Sequence, residues 1–250
     1  MSSSLDTKTF PMPPSSRVRS LVFFAGCLVA AGVFARLGVW QLSRLGERRA
    51  VNARMRALRE LPPLNLDDPT VTRSLDADSI DNRRVTLTGR YDHAAEVVIR
   101  GQSEGGVPGV RLIVPLRPLR GDPAILVQRG YVTSADARTV DLTTLHEEGV
   151  RTVVGVAFRQ PDSGVAGDPM DEDGQLTWRR IDLAALRKRL PYPLESYVVL
   201  QTPDSILPRL PRRDDAPSLD DGPHLSYAIQ WFGFAIIAVV GGAVVGFKKR

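Results

Sequence analysis

Gly222-Pro-His-Leu-Ser-Tyr-Ala-Ile-Gln-Trp-Phe-Gly-Phe-Ala235 runs on without a charge to Phe247 and is closed by Lys248-Lys249-Arg250; this stretch decides the fold. From Leu225 to Phe247, about 23 residues at a helical rise of about 1.5 Å give roughly 35 Å, enough to cross a hydrocarbon core of about 30 Å. Pro223 suits the first turn of a helix, and the basic triplet is a stop on the cytoplasmic side. At 100° per residue, His224, Tyr227, Trp231 and Phe234 fall within about 80° of arc, so one face near the outer surface carries an imidazole among aromatics.

A second apolar run, unbroken from Leu21 to Ala35, continues through Arg36 to Trp40. It is too long for a signal-peptide core, and no small-x-small cleavage site precedes the Trp40-Gln41 stretch, so it reads as an anchor. The net charge of +5 divides by region. Between Gln41 and His224 stand 26 Arg and Lys against 27 Asp and Glu, a net of −1, and the rest holds 7 basic residues and Asp6, a net of +6. The excess belongs to the membrane flanks, which reports topology rather than a nucleic-acid surface. Both termini are expected in the cytoplasm, although Arg44, Arg48, Arg49, Arg54 and Arg56 lie just outside the first span. A connecting segment of this length is translocated regardless of such charges. The single cysteine, Cys27, lies inside the first span, so the outer domain can have neither a disulfide nor a cysteine metal site.

The expected organisation is a disordered cytoplasmic tail over 1–17, a first membrane helix over 18–40 and an amphipathic helical extension over 41–66. An extracytoplasmic β-rich domain follows over 67–205, then a linker over 206–224, the second membrane helix over 225–247 and a basic end over 248–250. The fold class is an α+β membrane protein: two helices bracketing a mainly antiparallel sheet or partly closed barrel. Strand periodicity starts at Asn82, where Val85, Leu87, Gly89 and Tyr91 alternate with Arg84, Thr86, Thr88 and Arg90. Further strands are read at Glu96–Arg100, Val110–Leu116, Ala124–Val132, Arg151–Arg159, Gln175–Ile181 and Tyr197–Thr202, with helices at Asp136–Glu148 and Leu183–Leu190.

No nucleophile–base constellation, Gly-rich phosphate loop or EF-hand spacing is present, which argues against an envelope enzyme; two helices offer no enclosed path for a transporter. His93 and His146 stand in isolated polar settings and read as surface histidines. His224 differs by position: imidazole is an axial ligand for heme iron, and its neighbours are apolar, although a histidine at headgroup level is the plain alternative. Arg36 either snorkels to the interface or pairs with an anion, such as a heme propionate or an acidic partner group. Gly242 and Gly246 would let another helix approach closely.

Taken in order, several blocks resemble the Surfeit locus protein 1 family of cytochrome c oxidase assembly factors. Leu37-Gly-Val-Trp-Gln-Leu-Ser-Arg44 resembles its signature at the outer end of the first helix. Val85-Thr-Leu-Thr-Gly-Arg-Tyr91 resembles its first strand, and Gly109 with Val114-Pro-Leu116 its next block. Leu126-Val-Gln-Arg-Gly-Tyr-Val132 resembles a stretch more usually reading Asn-Arg-Gly-Trp, from which Gln128 and Tyr131 depart. Trp178 to Leu190 and Pro223-His-Leu-Ser-Tyr-Ala-Ile-Gln-Trp-Phe232 resemble its late blocks. The resemblance implies a role in building the catalytic subunit of a heme-copper oxidase, at the step of heme a insertion, with heme a synthase as a possible second partner. It also implies transient heme a contact at His224, to which Tyr227 and Trp231 follow only as neighbours on the same face. Trp40, Gln41, Arg44, Gly89, Arg129 and Gly130 are family-motif or partner-contact positions. A scaffold that steadies the oxidase subunit without touching heme is the competing reading. A bacterial cell membrane is the expected location, a mitochondrial inner membrane the alternative.

Overall fold

The computed structural model describes residues 16–75, 78–121, 123–160, 169–172 and 174–247, with no side-chain account of Ser16 and Arg17. The basic end over 248–250, the turn read around Gly164 and all but the last two residues of the expected tail lie outside these residues.

The chain divides into two compact units, one made of residues up to Ala53 together with Asp220–Arg250, the other of Arg54–Leu219. In the first, helix α1 (Ser16–Glu60, its last turns belonging to the second unit) pairs with the C-terminal helix α4 (His224–Phe247). Both are long and apolar enough to cross a membrane. They run antiparallel and touch through small residues. The space where Gly242 would carry a Cβ is filled by Cys27 and Phe24, and that of Gly38 by the ring of Phe232 at 2.8 Å. Without a hydrophobic drive between helices in lipid, such close backbone approach supplies the packing energy. Gly242 thus does pack a helix, as its motif suggested, and that helix is α1.

The second unit is built on a closed barrel. Its strands are β2 (Arg84–Tyr91), β4 (Val107–Pro118), β5 (Ala124–Thr133), β6 (Val150–Arg159) and β9 (Leu194–Gln201). They follow one another as β2-β6-β9-β5-β4 and close through a β4–β2 pairing of Gly89 with Pro118, Arg90 with Arg117 and Tyr91 with Leu116. Closure removes the exposed strand edges of an open sheet. All neighbours are antiparallel except β5 and β9. Gly89 sits at the closure, where a Cβ would strike the carbonyl of Arg117. Val85, Leu87, Tyr91, Val114, Leu116, Ile125, Val127, Val153, Ala157, Tyr197 and Val199 share one core cluster, so the alternation read from Val85 onward marks the inward face.

Outside the ring, β3 (Val97–Glu104) forms a hairpin with β4 across Gly105-Gly106, both at positive φ, which favours glycine. The short β7 (Met170–Glu172) and β8 (Gln175–Trp178) extend that edge. Helix α3 (Leu183–Arg189), capped by Asp182, buries Leu183 and Leu186 in a second cluster with Trp178 and Leu126. A two-residue strand β1 (Leu64–Asn65) and the short helix α2 (Pro69–Ser74) precede the barrel.

Two expectations are corrected. Asp136–Glu148 is no helix. The Asp136 carboxylate accepts the N–H groups of Arg138 (2.8 Å) and Thr139 (3.1 Å), Asp141 accepts that of Thr143 (3.1 Å), Ala137 takes φ 53°, and only a 3₁₀ turn at Thr143–Leu145 remains. Aspartates that bond their own backbone in this way compete with the helical ladder. Nor is 206–224 merely a linker. Arg212 bridges to Tyr131 as an added strand partner, and Arg213 is buried. Farther on, within the second unit, Arg56 and Arg59 of the helical extension donate to the carbonyls of Leu219 (2.7 Å) and Pro217 (2.8 Å), so its arginines serve the returning chain.

Candidate functional site

In the membrane unit, the imidazole of His224 stands at the first position of α4, where Pro223 has set the chain into helix. Its Nδ1 lies 2.8 Å from Oε1 of Gln41 on α1. A carbonyl oxygen only accepts, so this contact suits the tautomer protonated at Nδ1, in which Nε2 keeps a lone pair. Nε2 meets no hydrogen-bonding group among the described residues. Beside it is Gly222 at φ +69°, where a Cβ would lie 3.7 Å from Nε2 and 3.6 Å from Cδ2. The absence of a side chain at 222 leaves that edge of the ring open. Two turns further along, Trp231 stacks with Phe34 of α1 (5.7 Å, 25°), and Phe234 closes an aromatic triangle with both at 5.9 Å.

The chain that returns to α4 is tied down next to this site. Arg49 Nε donates to Asp221 (2.8 Å), and the buried Asn52 amide donates to the carbonyl of Asp220 (2.7 Å). The structure thus brings together His224, Gln41 and, deeper, Trp231. It does not bring in Arg36, which is exposed, makes no ion pair or hydrogen bond among the described residues, and sits about 140° round α1 from Gln41. Tyr227 is exposed and its hydroxyl makes no hydrogen bond among the described residues, Trp40 is exposed, and Arg44 pairs with Glu47 (2.5 Å).

The second unit holds its charge in a buried network that sequence reasoning missed. Arg129, fully buried on β5, donates to Glu96 Oε1 (3.0 Å), Glu147 Oε1 (2.7 Å) and the carbonyl of Leu145, and lies over the Tyr91 ring at 5.4 Å. Arg213 completes it by binding Glu147 and donating to Gln201 (3.1 Å) and the Pro211 carbonyl (2.7 Å). Gly130, at φ +138°, lets the Arg212 backbone approach. Burial alone would raise the Glu147 pKa, but the hydrogen bond from Arg129 and the charges of Arg213 and Arg129 outweigh it and hold the carboxyl below its ordinary range.

His93 and His146 are not isolated surface groups. Their rings stack at 4.1 Å, and His93 Nδ1 meets Glu96 Oε2 at 3.0 Å. With Glu96 they place three metal-ligating atoms within 4.8 Å. Three facts favour an ion-pair network over a cation site. Near-parallel rings cannot both hold one ion in their planes, His93 Nε2 already accepts the Glu147 N–H (3.1 Å), and the two carboxylates are balanced by two guanidiniums.

The sequence profile of the SURF1 family matches residues 28–236. The chain belongs to the SURF1 family. Its relatives include a SURF1-like protein of Rickettsia felis, 27% identical over 85% of this chain and 92% of the relative. An uncharacterized SURF1-like protein of Mycobacterium tuberculosis is 30% identical over 83% and 76%, and a SURF1-like protein of Monosiga brevicollis 26% over 81% and 79%. The family is, in general terms, one of cytochrome oxidase assembly factors. Its match spans both the His224–Gln41 pair and the Arg129 network.

Proposed function

We propose that this chain is a membrane-anchored assembly factor for a heme-copper terminal oxidase that holds heme a transiently at His224 and assists its insertion into the catalytic subunit. The observation that carries this reading is the His224 ring, anchored at Nδ1 and open at Nε2 beside a residue with no side chain. An imidazole fixed through its far nitrogen is the form in which histidine serves as an axial ligand to heme iron. Bound heme a would supply the iron centre destined for the oxidase; what this chain contributes is one ligand, its orientation by Gln41, and the apolar faces of Trp231 and Phe34. A single ligand suits a carrier, because each additional one would slow release. The catalytic subunit is the receiving partner and a heme a synthase the candidate donor. The basic flanks of both spans support cytoplasmic termini in a bacterial cell membrane, with the β-barrel unit outside.

The test is a reduced-minus-oxidised visible spectrum of the full chain purified in detergent from cells making heme a, beside His224→Ala prepared identically. A heme a signal lost in the variant supports the carrier. A signal in neither, with oxidase maturation still dependent on the protein, supports a scaffold. One observation favours that second reading: an open groove of about 530 Å³ on the second unit, where the exposed apolar side chains of Val107 and Leu210 flank Arg212.

A further inference from the structure

From the pairing of two helices at one hydrogen bond, we infer that Gln41 is the positioning residue of His224: it selects the tautomer with Nε2 unprotonated and points that nitrogen away from α1. The inference rests on the heme-carrier reading for its purpose, but its geometry stands without it.

The argument begins with helix spacing. Gln41 lies three residues beyond Gly38, hence on the same face of α1. Gly38 is where the Phe232 ring packs at 2.8 Å from the missing Cβ, and one turn past Gln41 Leu45 is buried. On α4, Ala228, one turn beyond His224, is buried as well. Small residues therefore bring the two backbones close enough for an amide to reach the imidazole, and Gln41, itself half-buried, is held where it can bond only a few groups.

The chemistry follows from which atoms meet. An unanchored neutral imidazole moves its proton between two nitrogens and turns about its side-chain bonds. An amide oxygen at 2.8 Å from Nδ1 removes both freedoms. The identity of the acceptor also matters. A carboxylate in this place would draw the Nδ1 proton more strongly and make Nε2 more basic, hence a tighter ligand. A neutral amide orients the ring without that added basicity, as a site that must give up its cargo requires.

Full-length protein, heme-free and carrying ¹⁵N-labelled histidine, in detergent micelles, reads the tautomer directly. His224→Ala assigns its signals among the three histidines. The expected result is His224 protonated at Nδ1 alone, with mixed tautomers in Gln41→Leu and the wild-type form kept in Gln41→Glu. Nε2 protonated in the wild type, or a spectrum unmoved by Gln41→Leu with the helices intact by circular dichroism, overturns the inference.

A titration with heme a separates this from the wider reading. Gln41→Leu should weaken binding about 10- to 100-fold, as loss of a partner behind a ligating histidine does, while Gln41→Glu binds more tightly and shifts the midpoint potential downward. If heme a binds through His224 but neither variant changes affinity or potential, the positioning role fails and the carrier survives. If no form binds heme a, the carrier fails, and the tautomer measurement alone decides the role of Gln41.

Discussion

Replacing Arg129 by Met removes a buried cation and leaves most of its volume in place. In the native domain the guanidinium bonds Glu96 (3.0 Å), Glu147 (2.7 Å) and the Leu145 carbonyl, with the Tyr91 ring against it. Arg213 still balances Glu147 in the variant, but Glu96, with no exposed side-chain surface, keeps only its histidine contacts. Breaking a buried pair from one side costs about 3–5 kcal/mol, whereas a volume-conserving apolar swap costs less than about 1.5 kcal/mol. For a domain of this size each kcal/mol lowers Tm by about 2–4 °C, so the expected drop is roughly 6–20 °C at neutral pH. The assay is thermal unfolding of the full-length protein in detergent, followed by near-ultraviolet circular dichroism at pH 7. A drop of less than about 3 °C would refute the account of Arg129 as the counter-charge.

Three other outcomes are expected. Glu147, held below the ordinary carboxyl range, stabilises the fold above its unfolded pKa and loses that contribution as pH falls through the folded one; Glu147→Gln should therefore show lower stability at pH 7 and a flatter acid limb in a pH series of unfolding midpoints. Gly89→Ala drives a methyl into the Arg117 carbonyl at the barrel closure, a backbone obstacle that cannot rotate away, so denaturant unfolding should show a loss of about 3 kcal/mol, the upper end for overpacking. Gly222→Ala places a methyl 3.7 Å from Nε2 of His224 at a positive φ; the strain of about 1–2 kcal/mol is tolerable, and the heme a signal should fall more than the stability does.

The sequence shows most clearly those parts of the fold that depend on one-dimensional patterns. The two membrane helices announce themselves by length, and β2 by its alternation, because a span or a half-buried strand is specified residue by residue. Asp136–Glu148 misleads because its composition suits a helix while Asp136 and Asp141 bind their own backbone, a choice that depends on side-chain geometry. Closure, which the sequence leaves open between a sheet and a partly closed barrel, is hidden for a different reason. It rests on three residue pairs between β2 and β4, and Gly89, visible in the strand alternation and in a family block, gains its explanation when the Arg117 carbonyl lies against it. The Arg129 network draws on four distant stretches, around Glu96, Arg129, Glu147 and Arg213, and only Arg129 lies in a family block, with nothing local to say what it binds.

At the candidate site, His224 was legible and its setting was not. A histidine at the start of an apolar helix already stands out, whereas Gln41 is an ordinary polar residue at the end of a span until the second helix lies beside it. Phe34 and Gly38 precede it on the same face of α1, in the spacing that a helix-facing stripe requires, and that spacing is the signal that could have pointed to Gln41. The consequence is physical as well as retrospective. His224 donates its hydrogen bond to the other helix, so the lone pair at Nε2 is fixed only while α1 and α4 are paired at Gly38 and Gly242. On the proposed carrier reading, parting the helices would release the ring and weaken its hold on a ligand without a change in covalent structure.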